Sequence, residues 1–181
     1  MTLIYGIDPG LSGAVAIIDD RGKILRLEST PVITVKKEKG TKRVYLPQQM
    51  LELLKNPINP LATFGGRAAL ELVNAMPGQG VTSMFSMGRG VGMWEMALAA
   101  EAIPMEWVTP QTWKKEFGLR GSDKNASIVK ALQLFPSAAQ YITRKCDEGR
   151  AEALLICEWL RRKHENADIN AGCFPRFLAG L

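Results

Sequence analysis

One carboxylate stands between two apolar runs near the start of the chain. Within Gly6–Ile17, which reads GIDPGLSGAVAI, Asp8 directly follows Leu3–Ile7 and precedes Ala14–Ile18. Both runs are rich in the aliphatic residues of buried strands, and the Pro-Gly and Ser-Gly pairs between them are typical of a turn. The sequence therefore predicts two core strands joined by a tight connection, with Asp8 at the end of the first. An acid at this position either caps the turn or serves chemistry.

Apolar periodicity divides the rest of the chain into strands followed by alternating strand and helices. A third strand is predicted over 23–29, and 36–43 form the basic tip of a hairpin between 33–35 and 44–46. The other predicted elements are strands over 67–73 and 105–108, and helices from 47 to about 56, from 83 to about 99, from 110, over 123–134 and over 147–163. This order predicts an α/β fold with a mixed sheet and helices on both faces.

Composition bounds the classes of protein that this chain represents. Its 181 residues suit one domain, 1–181, and a net charge of +5 permits a polyanionic partner. The single histidine excludes a multi-histidine zinc site, and three cysteines without a CxxC pair fit a reducing cytosol. No stretch is apolar enough to predict a membrane helix, so we expect a cytoplasmic protein.

Acidic residues also interrupt two later apolar segments. Glu71 lies within the predicted strand 67–73, and Glu152 lies in an apolar helix stretch with Glu148 four residues earlier on the same face. An unpaired buried carboxylate is costly, so several that converge are best explained by a shared cation. Oxygen ligands without His or Cys favour Mg²⁺ or Mn²⁺, and two such ions support phosphodiester hydrolysis.

Each of these acids also has an ordinary structural explanation. Glu71 would point to solvent from an edge strand, whereas Glu148 and Glu152 would be surface acids paired with Arg150 or Lys145. Sequence spacing does not show that the three segments meet, so both explanations stay open on the residues alone.

Basic residues fall into three groups, of which the first is the hairpin tip. The second and third groups are Lys114, Lys115, Arg120 and Lys124, and then Arg144, Lys145 and Arg150. The third group lies beside the acids, as phosphate-positioning residues around a metal site would. The segment Gly88–Gly92, which contains Arg89, lacks the order of a phosphate-binding loop. It predicts a close approach of the backbone to DNA or to a neighbouring helix.

Several blocks, in this order along the chain, resemble the RuvC-type Holliday junction resolvases in the form common in bacteriophages. The blocks are Gly6–Gly13, Glu71 with Ala75–Gly80, Met87–Arg89, Val108–Lys115, Asp123–Lys124 and Gly149–Ile156. The resemblance implies an RNase H-like fold with a five-stranded mixed sheet, its first three strands antiparallel. It also implies a homodimer in a bacterial or phage-infected cytosol that cuts branched DNA with Mg²⁺ and leaves 5′-phosphate and 3′-hydroxyl ends.

Carried over residue by residue, the resemblance implies a set of four catalytic, metal-binding acids. Asp8 matches the acid of the first strand, Glu71 that of the fourth, and Glu152 that of the final helix. The remaining acid falls on Glu148, with neighbouring Asp147 as its substitute. We expect two ions per site, of Mg²⁺ or also Mn²⁺. The expected DNA-binding residues are Arg89, Lys114, Lys115, Lys124, Arg144, Lys145 and Arg150.

One position departs from the pattern of the family. Three residues after Glu71, where bacterial members tend to carry an aromatic wedge, this chain has Asn74. An amide cannot stack as a ring does, which favours broader action on flaps, forks or replication intermediates. A catalytically inactive dimeric DNA-binding protein is a second class, although four acids would repel phosphate. An actin-like ATPase, also typified by an Asp-x-Gly loop, needs two such domains, for which 181 residues leave no room.

Overall fold

The computed structural model describes residues 1–58, 65–75, 77–122 and 125–170, with backbone alone for the final four of these. The strands are β1 Leu3–Asp8, β2 Ala14–Asp19, β3 Ile24–Ser29, β4 Val32–Lys36, β5 Thr41–Tyr45, β6 Gly66–Glu71 and β7 Met105–Val108. The α-helices are α1 Pro47–Leu54, α2 Val81–Ala100, α3 Pro110–Glu116, α4 Asn125–Leu134 and α5 Glu148–Asn170. Short 3₁₀ helices cover Pro136–Gln140 and Lys145–Asp147.

A five-stranded mixed sheet has the order β3-β2-β1-β6-β7. The first three strands are antiparallel, whereas β1 pairs in parallel with β6 and β6 in parallel with β7. This confirms the predicted mixed sheet. Parallel pairing also puts the carboxyl ends of β1 and β6 at the same edge of the sheet.

Alternation along the strands separates two cores, one on each face of the sheet. On β1, Leu3, Tyr5 and Ile7 pack with α1 and α2, whereas Ile4 packs with α3, α4 and α5. A strand turns successive side chains to opposite faces, so Gly6 and Asp8 share the face of Ile4. Helices therefore cover both faces, as the sequence predicted.

The hairpin of β4 and β5 forms a separate two-stranded sheet. Its strands extend further than the sequence indicated, since only 37–40 form the turn. A hydrogen bond from the Lys37 N–H to the Gly40 carbonyl closes this turn, and Gly40 has a φ of +87°. The prediction that all of 36–43 is a tip was therefore wrong, because Lys36 and Thr41–Arg43 pair within the ladder.

Other boundaries also differ from the sequence prediction. The strand predicted over 67–73 ends at Glu71, because pairing with β7 reaches only from Ala68 to Glu71. The last helix continues to Asn170 instead of ending at 163. The predicted helix start at Asp123 lies outside the described residues. In the described part of the chain, no helix is both long and apolar enough to cross a membrane.

Candidate active site

A half-buried carboxylate, Asp8, and a buried one, Glu71, lie side by side at one edge of the sheet. Ile7 of β1 pairs with Leu70 of β6, and Asp8 and Glu71 are the next residues of these two strands. Glu71 is two residues after Ala69, which belongs to the core on the α5 side, so both acids project toward α5. The sheet register thus holds both carboxylates on rigid backbone facing one helix.

Asp8 caps the turn that follows it and also meets other acids. The Gly10 N–H donates to Asp8 Oδ1 at 3.2 Å, as expected for a turn cap. Burial, together with the neighbouring Glu152 and Glu148, raises the pKa of Asp8 to about 6 despite this hydrogen bond. The explanation as a cap is therefore correct but incomplete, because a cap alone does not account for the acids around it.

Glu71 lies on an interior strand, so it is not the solvent-facing residue of an edge strand. Its side chain is 8% exposed, and its Oε1 accepts a hydrogen bond from Trp113 Nε1 at 2.8 Å. Burial and the nearby charge of Asp8 raise the pKa of Glu71 to about 7. Burial and the neighbouring acid make the charged form of Glu71 unfavourable, and a bound cation would stabilise that charged form.

The α5 helix brings Glu148 and Glu152 to the same edge. Glu152 forms an ion pair with Lys114 Nζ at 2.9 Å and accepts a hydrogen bond from Ser127 Oγ at 3.2 Å. Its partnership with Lys114 on α3 is tertiary, and it differs from the Arg150 or Lys145 pairing considered from sequence. Burial alone would lower the pKa of Lys114, but the bond to Glu152 raises it above its usual value.

Gly149 allows this helix to approach the loop between β1 and β2. A Cβ atom on Gly149 would lie 2.3 Å from the Ser12 carbonyl oxygen, well inside the closest approach that carbon allows. The helix therefore begins against the Asp8 loop, with Glu148 beside that loop. The loop within GIDPGLSG therefore packs against the start of α5, at Gly149–Glu152.

Asp147 and Glu148 are adjacent in sequence but occupy different environments. Asp147 is buried, and its carboxylate accepts hydrogen bonds from the Arg144 side chain and from the Thr143 and Arg144 N–H groups. The Arg144 side chain is the largest cause that lowers the pKa of Asp147 to about 2. Its oxygens are thus committed to the turn before α5, whereas Glu148 faces a cavity. This geometry favours Glu148 as the fourth acid.

A cavity of about 650 Å³ opens beside these acids. It is bounded by the β1–β2 loop, the hairpin, the first half of α2 and the start of α5. Its lining residues include Asp8, Ser12, Thr41, Arg43, Tyr45, Ser83, Met87, Glu148 and Glu152. Three of the four predicted acids therefore line one space, while Glu71 lies behind it against Trp113.

The donor set suits a hard cation in its chemistry, although it is not arranged as a closed metal site. Within the described ranges, no three His, Cys, Asp or Glu side chains are grouped so as to hold a metal ion. Lys114 binds Glu152, and Trp113 binds Glu71. The acids are exclusively oxygen donors, and Asp8 and Glu71 carry raised pKa values because burial and other acids disfavour their charge. A divalent cation would stabilise the charged forms of Asp8 and Glu71, once Glu152 had broken its ion pair with Lys114.

The predicted DNA-binding residues differ in how exposed their side chains are. Arg150 is largely committed within the fold, donating to the Tyr141 carbonyl at 2.7 Å and pairing with Glu28 at 3.8 Å. The exposed members of the set are Arg89, Lys115, Arg144 and Lys145, and Asn74 is also exposed. Lys124 lies outside the described residues.

Residues that sequence reasoning left out of the site contact its acids directly. Trp113 donates a hydrogen bond to Glu71, and Ser127 donates one to Glu152. Arg43, which contacts none of the acids, donates to Ser12 Oγ at 3.0 Å in the wall of the cavity. Trp113 stood next to Lys114 in a block already singled out. Nothing in the local pattern indicated which acid its indole would meet.

The chain is similar to known resolvases in both sequence and structure. No protein-family model matches it. A chloroplastic Holliday junction resolvase of Chlamydomonas reinhardtii, MOC1, is 31% identical over 120 residues, which are 66% of this chain but 12% of the algal protein.

A structure of Thermus thermophilus RuvC covers 89% of the chain at a TM-score of 0.52 and 13% identity. A second, of the same RuvC in complex with a Holliday junction substrate, covers 92% at a TM-score of 0.52 and 12% identity. Each match spans 96% of the RuvC chain. The chain therefore has the RNase H-like fold of RuvC.

Proposed function

We propose that this protein is a metal-dependent, structure-selective endonuclease that hydrolyses phosphodiesters in branched DNA such as Holliday junctions. The observation that carries the proposal is the meeting of Asp8 and Glu71, from adjacent strand ends, with Glu148 and Glu152 of α5. They meet in a fold shared with RuvC, beside a cavity of about 650 Å³. The products would carry 5′-phosphate and 3′-hydroxyl ends.

Two Mg²⁺ ions, or Mn²⁺ in their place, would be held by these four acids. When bound, such ions activate water and stabilise the leaving oxygen of the phosphodiester. Asp8 lies near Glu71 as well as near Glu148 and Glu152, so its carboxylate would hold metal together with both sets of acids. Trp113 fixes the Glu71 carboxylate, and Lys114 supplies the positive charge nearest to Glu152. Released from Glu152, the Lys114 ammonium is positioned to hold a phosphate.

Cleavage of a labelled four-way junction tests this proposal. We expect Asp8→Asn and Glu148→Gln to bind the junction normally while cleaving at least 100-fold more slowly in Mg²⁺. Asp147→Asn is the matched control, because it removes a neighbouring carboxylate that points away from the cavity. Cleavage by Asp8→Asn at the wild-type rate would overturn the assignment, as would loss of cleavage in folded Asp147→Asn with Glu148→Gln active.

A homodimer is part of this proposal, and one face of α2 supports it. Val81, Phe85 and Met96 are 78%, 69% and 67% exposed on this helix. Gly88 and Gly92 lie between them at helical spacing, and a Cβ at either would meet no described atom within 4 Å beyond the adjoining turns of its own helix. Glycine destabilises a helix by about 1 kcal/mol relative to alanine, so packing within the chain does not explain the pair. A second copy approaching closely along this face would explain it.

Sedimentation of single variants tests the dimer. Phe85→Asp should sediment as a monomer at concentrations where the wild type is dimeric. Val129→Asp is the control, since Val129 is a 53% exposed apolar residue on α4, away from this face. A wild type that stays monomeric at 100 µM would refute the dimer, and so would an unchanged Phe85→Asp dimer.

Asn74 favours a substrate range broader than four-way junctions. Its exposed amide follows β6 near the site, where it offers hydrogen bonds but no ring to stack on a base. Junction, fork, flap and linear duplex substrates, compared in one assay, measure the range. Cleavage of flaps and forks within tenfold of the junction rate is expected, and Asn74→Phe should narrow the range. A junction-to-fork ratio above 1,000 in the wild type would contradict this part of the proposal.

A further inference from the structure

The hairpin of β4 and β5 carries most of the excess positive charge of the protein. Residues 36–43 contain five basic side chains and one acidic one, a net charge of +4 out of +5 for the whole chain. Its basic residues are Lys36, Lys37, Lys39, Lys42 and Arg43. Charge is thus concentrated on one small element outside the main sheet.

The base of this hairpin is fixed to the site that holds the acids. Arg43 Nη1 donates to Ser12 Oγ, and Tyr45 Oη lies 3.5 Å from the Pro9 carbonyl oxygen. Tyr45 is buried against Gly90 of α2, where a Cβ would come within 2.4 Å of the hydroxyl. The hairpin is therefore a wall of the cavity whose position relative to Asp8 is set by packing.

The side chains of the four hairpin lysines form no ion pair with the described part of the chain. All are exposed, and among the residues that the structure describes none of them lies within 4.0 Å of a carboxylate. Surface lysines that repel one another without counterions weaken a fold slightly, so their clustering is not explained by stability. A bound polyanion would neutralise them.

We propose that this hairpin is a DNA clamp, in which Lys36, Lys37, Lys39 and Lys42 bind the backbone phosphates of the duplex arm next to the scissile phosphate. The inference rests on the proposed function, since it takes the cavity beside Asp8 as the place of cleavage. Arg43 pairs with Thr34, and Lys37 lies three residues beyond Thr34, so the tip lies about 10 Å from Arg43 at the cavity, or about three base pairs of B-DNA. Contacts of this kind position the arm without reading its sequence.

A pair of matched double variants separates the clamp from a general charge effect. Lys37→Gln with Lys39→Gln removes two charges from the hairpin turn. Arg21→Gln with Lys23→Gln removes two exposed charges from the turn after β2, which joins the end of the sheet opposite Asp8. The measurement is fluorescence anisotropy of a labelled junction in EDTA, from 50 to 300 mM NaCl, so that no cleavage occurs.

Loss of two phosphate contacts flattens the slope of log Kd against log salt by about 2 and weakens binding at 0.1 M salt by up to about 60-fold. We expect this for the hairpin variant, little change for the control, and near-wild-type binding for Lys37→Arg with Lys39→Arg. Equal affinities and slopes for the two glutamine variants would overturn the clamp. Because this readout needs no catalysis, an inactive wild type would refute the nuclease and still report on the hairpin.

Discussion

Replacing Asp8 by asparagine is expected to stabilise the metal-free protein at pH 8 while removing the proposed nuclease activity. The folded protein raises the pKa of Asp8 from 3.8 to about 6, chiefly through burial. Above pH 6 the folded state must therefore hold a carboxylate that the unfolded chain ionises more easily. Below pH 3.8 Asp8 is neutral in both states, and the folded protein has its full stability. That stability is lost as the pH rises toward and through 6, because the folded state ionises Asp8 less readily than the unfolded chain does. Asparagine stays neutral and still accepts from the Gly10 N–H.

The size of the effect follows from the two pKa values. Because folding raises the pKa of Asp8 from 3.8 to about 6, ionisation of Asp8 lowers the free energy of unfolding by about 3 kcal/mol at pH 8, where Asp8 is ionised in both states. At pH 4 the same linkage predicts that ionisation of Asp8 lowers the free energy of unfolding by less than about 1 kcal/mol. For a chain of this length, 3 kcal/mol is on the order of 6–12 °C in Tm.

Thermal unfolding in EDTA, followed by circular dichroism from pH 4 to pH 8, measures the difference between the two proteins. Asp19→Asn is a suitable control, because Asp19 is a buried aspartate that accepts from the Arg21 and Lys23 N–H groups, away from the acids. It should lose stability. Adding Mg²⁺ at pH 8 should raise the Tm of the wild type and leave Asp8→Asn unchanged, since only a site that binds the ion gains by mass action.

Two results would refute this reasoning. An Asp8→Asn variant no more stable than the wild type at pH 8 would show that the carboxylate is not strained by burial and neighbouring charge. A stability gain that is the same at pH 4 and pH 8 would show that its origin is packing and not ionisation.

Three further substitutions probe the surroundings of the acids. Lys114→Gln removes a charge that lowers the pKa of Glu71, so the acidic limb of the pH–rate profile should move to higher pH, and an unmoved limb would contradict this. Trp113→Phe removes the hydrogen bond to Glu71 and leaves a small void, which should cost about 2–4 kcal/mol in urea unfolding. Gly149→Ala places a methyl group against the Ser12 carbonyl oxygen, so we expect the free energy of unfolding to fall by about 1–3 kcal/mol and cleavage to slow. Unchanged stability and cleavage would mean that the start of α5 can shift away from the loop.

The sequence predicted the sheet well because its evidence was local. Alternating and continuous apolar runs mark β1 and β2 directly, and Asp8 ends β1 where the run ends. The strand end at Glu71 was missed because it is set by pairing with β7, thirty-odd residues away. Glu71 looked like an acid inside a strand, whereas it is the last residue of one.

The site was harder to predict because its contacts are tertiary. Asp147 and Glu148 are neighbours with the same charge, and only the 3₁₀ turn that directs Asp147 to Arg144 distinguishes them. The bond between Lys114 and Glu152 joins α3 to α5, and no spacing rule within one helix predicts it. Resemblance to a family supplied the expected set of acids, but the local environment of each comes from the fold.

The close contact between β1 and α5 determines when the site becomes complete during synthesis. Cys157 Sγ donates to the Ile4 carbonyl at 2.9 Å across 153 residues of sequence, and Gly6 lies directly beneath Ala153. Contacts of such separation form late in folding, and a ribosome delivers the amino-terminal strands first. A growing chain can pair Asp8 with Glu71, yet it has no α5 to bring Glu148 and Glu152. The four acids therefore meet only once α5 has been synthesised, so a nascent chain that ends before α5 lacks the complete candidate site.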